Sequence, residues 1–394
     1  MKQETPPLSR IRTDHTGGLR HPHWLREVYA RYGDGEASDG ELREAQDRAV
    51  GEVIKRQEDL GFPVVNDGEL RRIGGFQDSF GGAITGFDAI PYGRQWATRG
   101  LDDLRRFEPG STPRRIETGL PAERGEGRAV YNRVPVNERL QLVRNLILDE
   151  YRLASAVATH PVKVTLIGPD RISQRFAYEA STGVYRDMEA FLADVIAIER
   201  QMIAEVVAAG GRYIQIDEPG YTAYVDQPIL AQMRARGQDP VANLERSIHA
   251  DNAIIAGFPD VTFAVHICRG GSGGRGGAGP HREGTYDAIA ERLFSQLNFD
   301  RFLLEYDSEA AGTFDAIRFI PPDRVAVLGL LANNGAEVET PDYLKRRLDE
   351  ASRFRPLEQV GLCPRCGMRS LGEDVQWAKF AVIQDVAREV WGGA

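Results

Sequence analysis

The side chains best suited to chemistry in this chain are a histidine, an acidic residue and three cysteines in its final third. His266 and Cys268 lie two residues apart, Glu305 ends a later apolar run, and Cys363 and Cys366 follow a further one. Imidazole, thiolate and carboxylate groups are the side chains that bind Zn²⁺ in proteins. Zinc sites that activate water mostly use His and carboxylate ligands, so a set containing thiolates favours chemistry on sulfur.

The motif Cys363-Pro364-Arg365-Cys366 permits more than one interpretation. A structural zinc knuckle needs a second cysteine pair, and only Cys268 remains in the sequence. A redox pair is disfavoured because the flanking residues do not resemble a thioredoxin-type strand-to-helix motif. Spacing alone does not decide which of the two cysteines binds a metal.

Eight short β-branched runs alternate with amphipathic segments, which is the pattern of repeated βα units. The predicted strands are 11–16, 62–66, 162–167, 213–216, 262–267, 302–306, 325–330 and 359–362. The predicted helices are 41–60, 191–209, 243–257, 286–297, 343–353 and 374–390. This order predicts an α/β fold, a (β/α)8 TIM barrel that forms one catalytic domain over residues 1–394. The candidate ligands follow strands, and the carboxyl ends of barrel strands meet on one face, so we expect a shared site.

The interval between the second and third predicted strands is much longer than a helical crossover requires. Within it, residues 88–135 are rich in Arg, Gly and Pro, and we expect an insertion that covers the barrel mouth. The glycine-rich run 270–279 is a candidate lid, and a solvated loop without a role explains it equally well.

Composition limits the classes of partner. The apolar fraction of 42% and the charged fraction of 27% are those of a globular protein with a sizeable core. A net charge of −9 disfavours nucleic acid and anionic membranes as partners, because both attract basic surfaces. The sequence has no apolar run of membrane-spanning length and no signal-peptide core, so we expect a cytoplasmic protein with small-molecule partners. The oligomeric state is undetermined, and a homo-oligomer is compatible with the sequence.

Several motifs resemble the cobalamin-independent methionine synthase family, in a short single-barrel form spanning residues 12–391. They are Asn66-Asp67-Gly68-Glu69, Gln215-Ile216-Asp217-Glu218-Pro219, Val265-His266-Ile267-Cys268, Leu304-Glu305-Tyr306-Asp307 and Cys366-Gly367. The resemblance implies a Zn²⁺ ion bound by His266, Cys268, Glu305 and Cys366, with Cys363 as a bystander. It also implies that Glu69 and Asp217 are active-site residues that bind the ammonium group of homocysteine.

Three departures from the family pattern concern the methyl donor and the amino-acid carboxylate. Arg175 stands where the family places a tryptophan against folate, and Ala332-Asn333-Asn334 replaces an Asp and a His that assist proton transfer. Gly17-Gly18 replaces the usual Gly-Ser, although its backbone amides could still bind the substrate carboxylate. These changes leave the thiol-activating residues intact and weaken the case for a folate donor.

The expected function is a zinc-dependent alkyltransferase, foremost a methyltransferase, that acts on a homocysteine-like thiol and an alkyl donor. An alternative is ring opening of the epoxyalkane:coenzyme M transferase type, in which arginines near strand ends would bind a sulfonate. The candidates for that role are Arg20, Arg71, Arg72 and Arg269. A third hypothesis is a non-catalytic barrel that binds zinc or a metabolite, since a fold alone does not establish catalysis. A uroporphyrinogen decarboxylase-like enzyme would leave the cysteines unexplained.

Overall fold

The computed structural model describes residues 7–72, 75–76, 78–87, 135–269 and 282–392. Eight strands occur in this part of the chain, in two sheets. In chain order they are Ile84–Phe87 (β1), Val136–Leu142 (β2), Lys163–Ile167 (β3), Tyr213–Asp217 (β4), Thr262–Ile267 (β5), Arg301–Glu305 (β6), Val325–Leu331 (β7) and Val360–Pro364 (β8). β3 to β8 form a six-stranded parallel sheet in sequential order, so their carboxyl ends lie at one edge.

Helices precede, separate and follow the strands, and six of them correspond to the helices that the apolar periodicity predicts. Those of seven or more residues are His23–Gly33, Asp39–Leu60, Leu146–Val157, Pro169–Arg175, Met188–Ala208, Gln227–Ala235, Pro240–Ile255, Ala290–Gln296, Pro341–Ser352 and Glu373–Trp391. A four-residue helix spans Asp78–Gly81. Five strands of the parallel sheet are buried along their whole length, which is typical of a sheet covered by helices. No helix in the described ranges is long and apolar enough to cross a membrane.

The first two predicted strands are single bridges at the two ends of this sheet. Thr13 bridges Leu362 of β8, and Val65 bridges Val162 beside β3. Side chains bond to backbone acceptors in both segments: Lys163 Nζ donates to the carbonyl oxygen of His15, and Gln57 Nε2 donates to that of Asn66 at 2.8 Å. The structure therefore shows an α/β fold with six parallel strands, where the sequence predicts eight.

The antiparallel pair of β1 and β2 is an element that the sequence analysis did not predict. Ile84 pairs with Leu142, and Phe87 pairs with Val136. The pair flanks the predicted insertion 88–135, which lies outside the described residues except for its last position. The glycine-rich run 270–279 also lies outside them.

The helix Asp39–Leu60 shows how local sequence helps to position the site. It begins with a capping box, in which Ser38 Oγ accepts from the backbone N–H of Glu41 at 3.2 Å and the Glu41 carboxylate accepts from that of Ser38 at 2.8 Å. One turn before its end, Gln57 pairs with the backbone of Asn66 through bonds of 3.0 and 2.8 Å. This pairing anchors the start of the turn that carries Glu69.

A buried ionic cluster lies at the amino ends of the strands, opposite the edge where the candidate ligands lie. Asp14 accepts from Lys163 Nζ at 2.6 Å and lies 3.2 Å from Arg301 Nη2. All three side chains are fully buried, and Tyr213 also donates to Asp14. Burial opposes ionisation, but Lys163 and Arg301 lower the pKa of Asp14 below its usual range. Their position indicates a role in stability, since the amino-terminal face of such sheets is rarely catalytic.

Replacing Lys163 with methionine is expected to lower the free energy of unfolding by about 3–5 kcal/mol, because it removes the buried donor that serves Asp14, the carbonyl oxygen of His15 and Gln215 Oε1. Urea denaturation would measure the loss. Lys345→Met is the matched control, since Lys345 forms a partly exposed ion pair with Glu389 at 2.7 Å. That variant should lose about 0–1 kcal/mol. Equal losses in the two variants would contradict the role given to the cluster.

Candidate active site

Three of the predicted metal ligands come together at the carboxyl edge of the parallel sheet. His266 lies in β5, Cys268 is the first residue after β5, and Cys366 lies just beyond β8. One ligand atom from each residue lies within 4.8 Å of the other two. Zn–N and Zn–S bonds of about 2.0–2.3 Å allow atoms at this separation to share one ion. Among the described residues, no other group of His, Cys, Asp and Glu side chains meets this criterion.

The two nitrogens of the His266 ring have different neighbours. Nδ1 lies 3.1 Å from Asp217 Oδ1, and Nε2 lies 3.1 Å from the carbonyl oxygen of Arg365. Burial opposes the charged ring, but Asp217 and Cys268 together raise the pKa of His266 to about 9. A metal ligand must be a neutral imidazole, so a cation at this site competes with a proton.

The thiols of Cys268 and Cys366 are hydrogen-bonded to each other. This bond, followed by burial, raises the pKa of Cys366 well above its usual range. Two thiolates beside a carboxylate are electrostatically unfavourable in a buried site, and a divalent cation reverses this by deprotonating the thiols that ligate it. The donor set therefore fits a zinc ion.

Glu305, the fourth predicted ligand, lies beside the other three but outside the group of close atoms. Its Oε2 accepts from the backbone N–H of Arg269 at 2.8 Å, and its Oε1 lies 3.6 Å from Arg365 Nη1. Burial and the nearby Cys268 raise the pKa of Glu305 to about 7. The structure thus places Glu305 at the site with its oxygens towards Arg269 and Arg365.

Cys363 does not belong to this group. It is buried in the sheet interior with Val64 and Tyr213, near the ionic cluster around Asp14. Burial raises the pKa of the Cys363 thiol above its usual range. Cys363 and Cys366 therefore lie in different surroundings, although the sequence separates them by only two residues.

Glu69 sits on a turn built by its own neighbours. Asn66 Oδ1 accepts from the backbone N–H of Gly68 at 2.9 Å, and Asp67 Oδ1 accepts from that of Glu69 at 3.0 Å. Glu69 itself has a φ of 54°, a left-handed conformation that is unusual for a residue other than glycine. Such backbone strain tends to occur at functional sites, where surrounding bonds maintain it.

Gly17 and Gly18 lie against the Glu69 carboxylate. A Cβ added at Gly17 would lie 2.7 Å from Glu69 Oε1, and one at Gly18 would lie 3.0 Å from Oε2. Gly17 also has a φ of 107°, which side chains other than glycine rarely adopt. The Gly17-Gly18 pair therefore lets the backbone approach this carboxylate closely.

Asp217, the last residue of β4, brings a second carboxylate to the same region. Its Oδ1 accepts from Gln215 Nε2 at 2.7 Å, while its Oδ2 is buried without a hydrogen-bond partner in the part of the chain that the structure describes. Burial raises the pKa of Glu69, Arg72 lowers it, and Asp217 raises it further. Two neighbouring buried carboxylates, one with an unpaired oxygen, form a site suited to a cation.

Glu218, next to Asp217, has a structural contact instead. Its carboxylate accepts from the backbone N–H groups of Asp170 and Arg171 at 2.8 and 3.0 Å, at the start of the helix Pro169–Arg175. A Cβ at Gly168 would lie 2.1 Å from Glu218 Oε1, so glycine is required there. The Gly168-Pro169 pair thus serves this contact, and the side chain of Arg175 lies outside the described part of the structure.

Sequence reasoning missed Arg365 as a residue of the site. Its Nε donates to Asn333 Oδ1 at 2.7 Å and its Nη1 donates to Asp307 Oδ2 at 2.8 Å, so it connects residues that follow β6 and β7. The sequence signal for Arg365 was its position next to Cys366, because the neighbour of a metal ligand in the chain lies close to the metal site.

Comparison with known proteins places the chain in a family. Residues 128–389 match the family model described as "Cobalamin-independent synthase, Catalytic domain". The chain belongs to the cobalamin-independent methionine synthase family. The family resemblance inferred from the sequence is thereby confirmed.

Several curated proteins resemble this cobalamin-independent synthase family member over nearly its whole length. "Uncharacterized protein YxjH" of Bacillus subtilis (strain 168) is 29% identical and aligns over 99% of this chain and 97% of its own. "Methionine synthase" of Sulfurisphaera tokodaii is 24% identical, over 92% of this chain and 88% of its own.

Two solved structures share the fold of this cobalamin-independent synthase family member. The putative vitamin-B12 independent methionine synthase from Listeria monocytogenes has a TM-score of 0.71 and 23% identity, covering 99% of this chain and 100% of its own. The B12-independent methionine synthase from Shewanella sp. W3-18-1, in complex with selenomethionine, has a TM-score of 0.69 and 18% identity, covering 97% of each chain.

Proposed function

We propose that this protein is a zinc-dependent alkyltransferase that transfers a methyl group to a homocysteine-like thiol. The observation that carries the proposal is the convergence of His266, Cys268 and Cys366 within 4.8 Å. Family membership supports methyl transfer, and the Sulfurisphaera tokodaii relative is a named methionine synthase.

In this proposal His266, Cys268 and Cys366 would hold the zinc ion, with Glu305 as the fourth protein ligand. An incoming thiol would ionise more readily beside this cation, and its sulfur would remain nucleophilic. Asp217 Oδ1 lies 3.1 Å from His266 Nδ1 and orients the ring, as carboxylates commonly do for a ligating histidine. The backbone N–H of Arg269 and the guanidinium of Arg365 hold the Glu305 carboxylate beside the thiols.

Glu69 and Asp217 bind the ammonium group of the acceptor in this proposal. Glu69 Oε2 and the unpaired Oδ2 of Asp217 supply the acceptors, and the backbone amides of Gly17 and Gly18 lie nearby for the amino-acid carboxylate. The Shewanella structure contains selenomethionine, an amino acid of the expected product class. Holding both polar groups directs the thiol of the same molecule towards His266, Cys268 and Cys366.

The proposal does not specify folate as the methyl donor. The amide of Asn333 is engaged at both ends, since Oδ1 accepts from Arg365 and Nδ2 donates to the carbonyl oxygen of Gly367 at 3.0 Å. An asparagine held in this way does not transfer a proton as an imidazole would. An assay of homocysteine with several donors, including methylcobalamin and methylfolate, identifies the donor directly.

The epoxyalkane:coenzyme M alternative has less support. It needs arginines that bind a sulfonate, and each of the four candidates already donates to a protein acceptor, which would compete with that anion. Arg20 donates to Arg369 O, Arg71 to Asp47, Arg72 to Glu150, and Arg269 to Gly284 O. A preference for coenzyme M over homocysteine would support this alternative.

We further propose that the sheet closes into an eight-stranded barrel and that residues 1–394 form one domain. The bridges at Thr13 and Val65 extend the six-stranded sheet at both ends. His15 Nε2 lies 3.1 Å from the carbonyl oxygen of Val64, so the two end segments contact each other. The likeness to the Listeria structure over 99% of this chain supports a single domain.

Adding homocysteine to the zinc-loaded protein is expected to change the metal coordination, because the incoming thiol would take the place of Glu305, the proposed ligand that lies outside the group of close atoms. X-ray absorption at the zinc edge should detect an additional sulfur neighbour. A structural zinc site would show identical spectra with and without the thiol. Identical spectra would therefore favour the non-catalytic barrel over the proposed enzyme.

A further inference from the structure

Arg72 is a buried arginine whose guanidinium joins three groups beside the candidate ammonium site. Its Nε and Nη2 donate to the two carboxylate oxygens of Glu150, at 2.8 and 2.5 Å. Its Nη1 donates to Thr165 Oγ1 at 2.9 Å, and its Nη2 donates to the carbonyl oxygen of the same residue at 2.7 Å. A further donation from Nη1 reaches Glu69 Oε1 at 3.2 Å.

Arg72 bonds more strongly to the carboxylate of Glu150 than to that of Glu69. Glu150 receives two short parallel bonds, the fork geometry in which arginine binds a carboxylate most strongly. Glu69 receives a single, longer bond on Oε1, which also accepts from Thr165 Oγ1 at 2.8 Å. Glu69 is therefore fixed in orientation on its Oε1 side, while Glu150 provides most of the compensation for the positive charge of Arg72.

This difference in bonding is important because Arg72 and a substrate ammonium group compete for the Glu69 carboxylate. Glu150 is 2% exposed and lies in the helix Leu146–Val157, remote in sequence from the other residues of the site. Without its negative charge, the nearest buried carboxylate for Arg72 would be Glu69. An internal Arg72–Glu69 ion pair would then compete with the incoming cation.

We propose that Arg72 and Glu150 are positioning residues that keep the negative charge of Glu69 available for the ammonium group of the acceptor, so that this pair sets the preference for amino-acid thiols over thiols without an amine. The inference rests on the proposed function, in which Glu69 binds that ammonium group. It adds a determinant of substrate class that does not itself contact the thiol.

The test compares two thiols that differ only in the amine, homocysteine and 4-mercaptobutanoate. Calorimetry on the zinc-loaded protein measures the dissociation constant of each, so that no methyl donor is needed. For Glu150→Gln we expect homocysteine binding to weaken by about tenfold or more and 4-mercaptobutanoate binding to change by less than about twofold. Glu150→Asp keeps the charge and should restore part of the loss.

Asp149→Asn is the matched control, because Asp149 lies in the same helix and pairs with Arg144 at the surface. It should leave both dissociation constants unchanged. If Glu150→Gln does not fold, Arg72→Lys replaces it, since lysine keeps the charge without the fork and should cause the same selective loss.

The outcomes separate this inference from the proposed function. Equal weakening for both thiols would show a general structural role for the pair and overturn the inference, and so would unchanged constants. If the wild-type protein binds the two thiols equally well, the assignment of the ammonium site is wrong. That result would refute the proposed function itself, independently of Arg72 and Glu150. Selective weakening of homocysteine binding in Glu150→Gln, with unchanged zinc content, supports both the inference and the proposed function.

Discussion

Replacing Cys268 with serine is expected to lower zinc affinity by more than about 100-fold and to abolish thiol alkylation. Loss of an outer-shell partner already costs about 10–100-fold in metal affinity, and Cys268 is one of three side chains whose ligand atoms converge. A serine hydroxyl does not ionise near neutral pH and is a poor substitute for a thiolate. Elemental analysis of the purified variant and an assay for methionine formation measure the two effects.

Cys363→Ser is the matched control for this experiment. It makes the same change at a buried cysteine that lies outside the group of ligand atoms. Some loss of stability is expected from placing a hydroxyl in the sheet interior, but zinc occupancy should remain close to that of the wild type. Full occupancy and turnover in Cys268→Ser would refute the zinc site, and loss of zinc in Cys363→Ser would show that the wrong cysteine was chosen.

Glu69→Gln is expected to weaken homocysteine binding by about 30- to 150-fold, or about 2–3 kcal/mol, because it removes a buried charge that faces the ammonium group. The amide has nearly the same shape, so packing against Gly17 and Gly18 is retained. The dissociation constant of homocysteine, measured by calorimetry on zinc-loaded protein, checks the expectation.

The zinc content of Glu69→Gln should equal that of the wild type, because Glu69 is not one of the proposed ligands. Glu52→Gln provides the surface control, since Glu52 forms an exposed ion pair with Arg48 and should bind homocysteine normally. An unchanged dissociation constant in Glu69→Gln would remove Glu69 from the binding site. Loss of zinc would instead assign it to the metal centre.

The strands and helices were largely predictable because each follows a local pattern. The apolar runs at β3 to β8 and the amphipathic segments between them appear at nearly the expected positions. The segments 11–16 and 62–66 were predicted as strands but form single bridges, because the side chains of Lys163 and Gln57 bond to the backbone carbonyl oxygens of His15 and Asn66. The β1–β2 pair was missed because its two strands are separated by the long sequence interval 88–135, whose Arg-, Gly- and Pro-rich composition hides their pairing.

The sequence by itself determined which residue types stand at the ends of the strands, and therefore that His266, Cys268, Glu305 and the Cys363/Cys366 pair were candidate ligands. Strand alternation and motif spacing are local properties, so they can be read along the chain. Motif spacing left Cys363 and Cys366 as alternatives, and the family resemblance favoured Cys366. Only the tertiary structure turned the Glu305 oxygens towards Arg269 and Arg365 and joined Glu150 to Arg72. These relations depend on distances between elements far apart in sequence, which are set when the helices pack around the sheet.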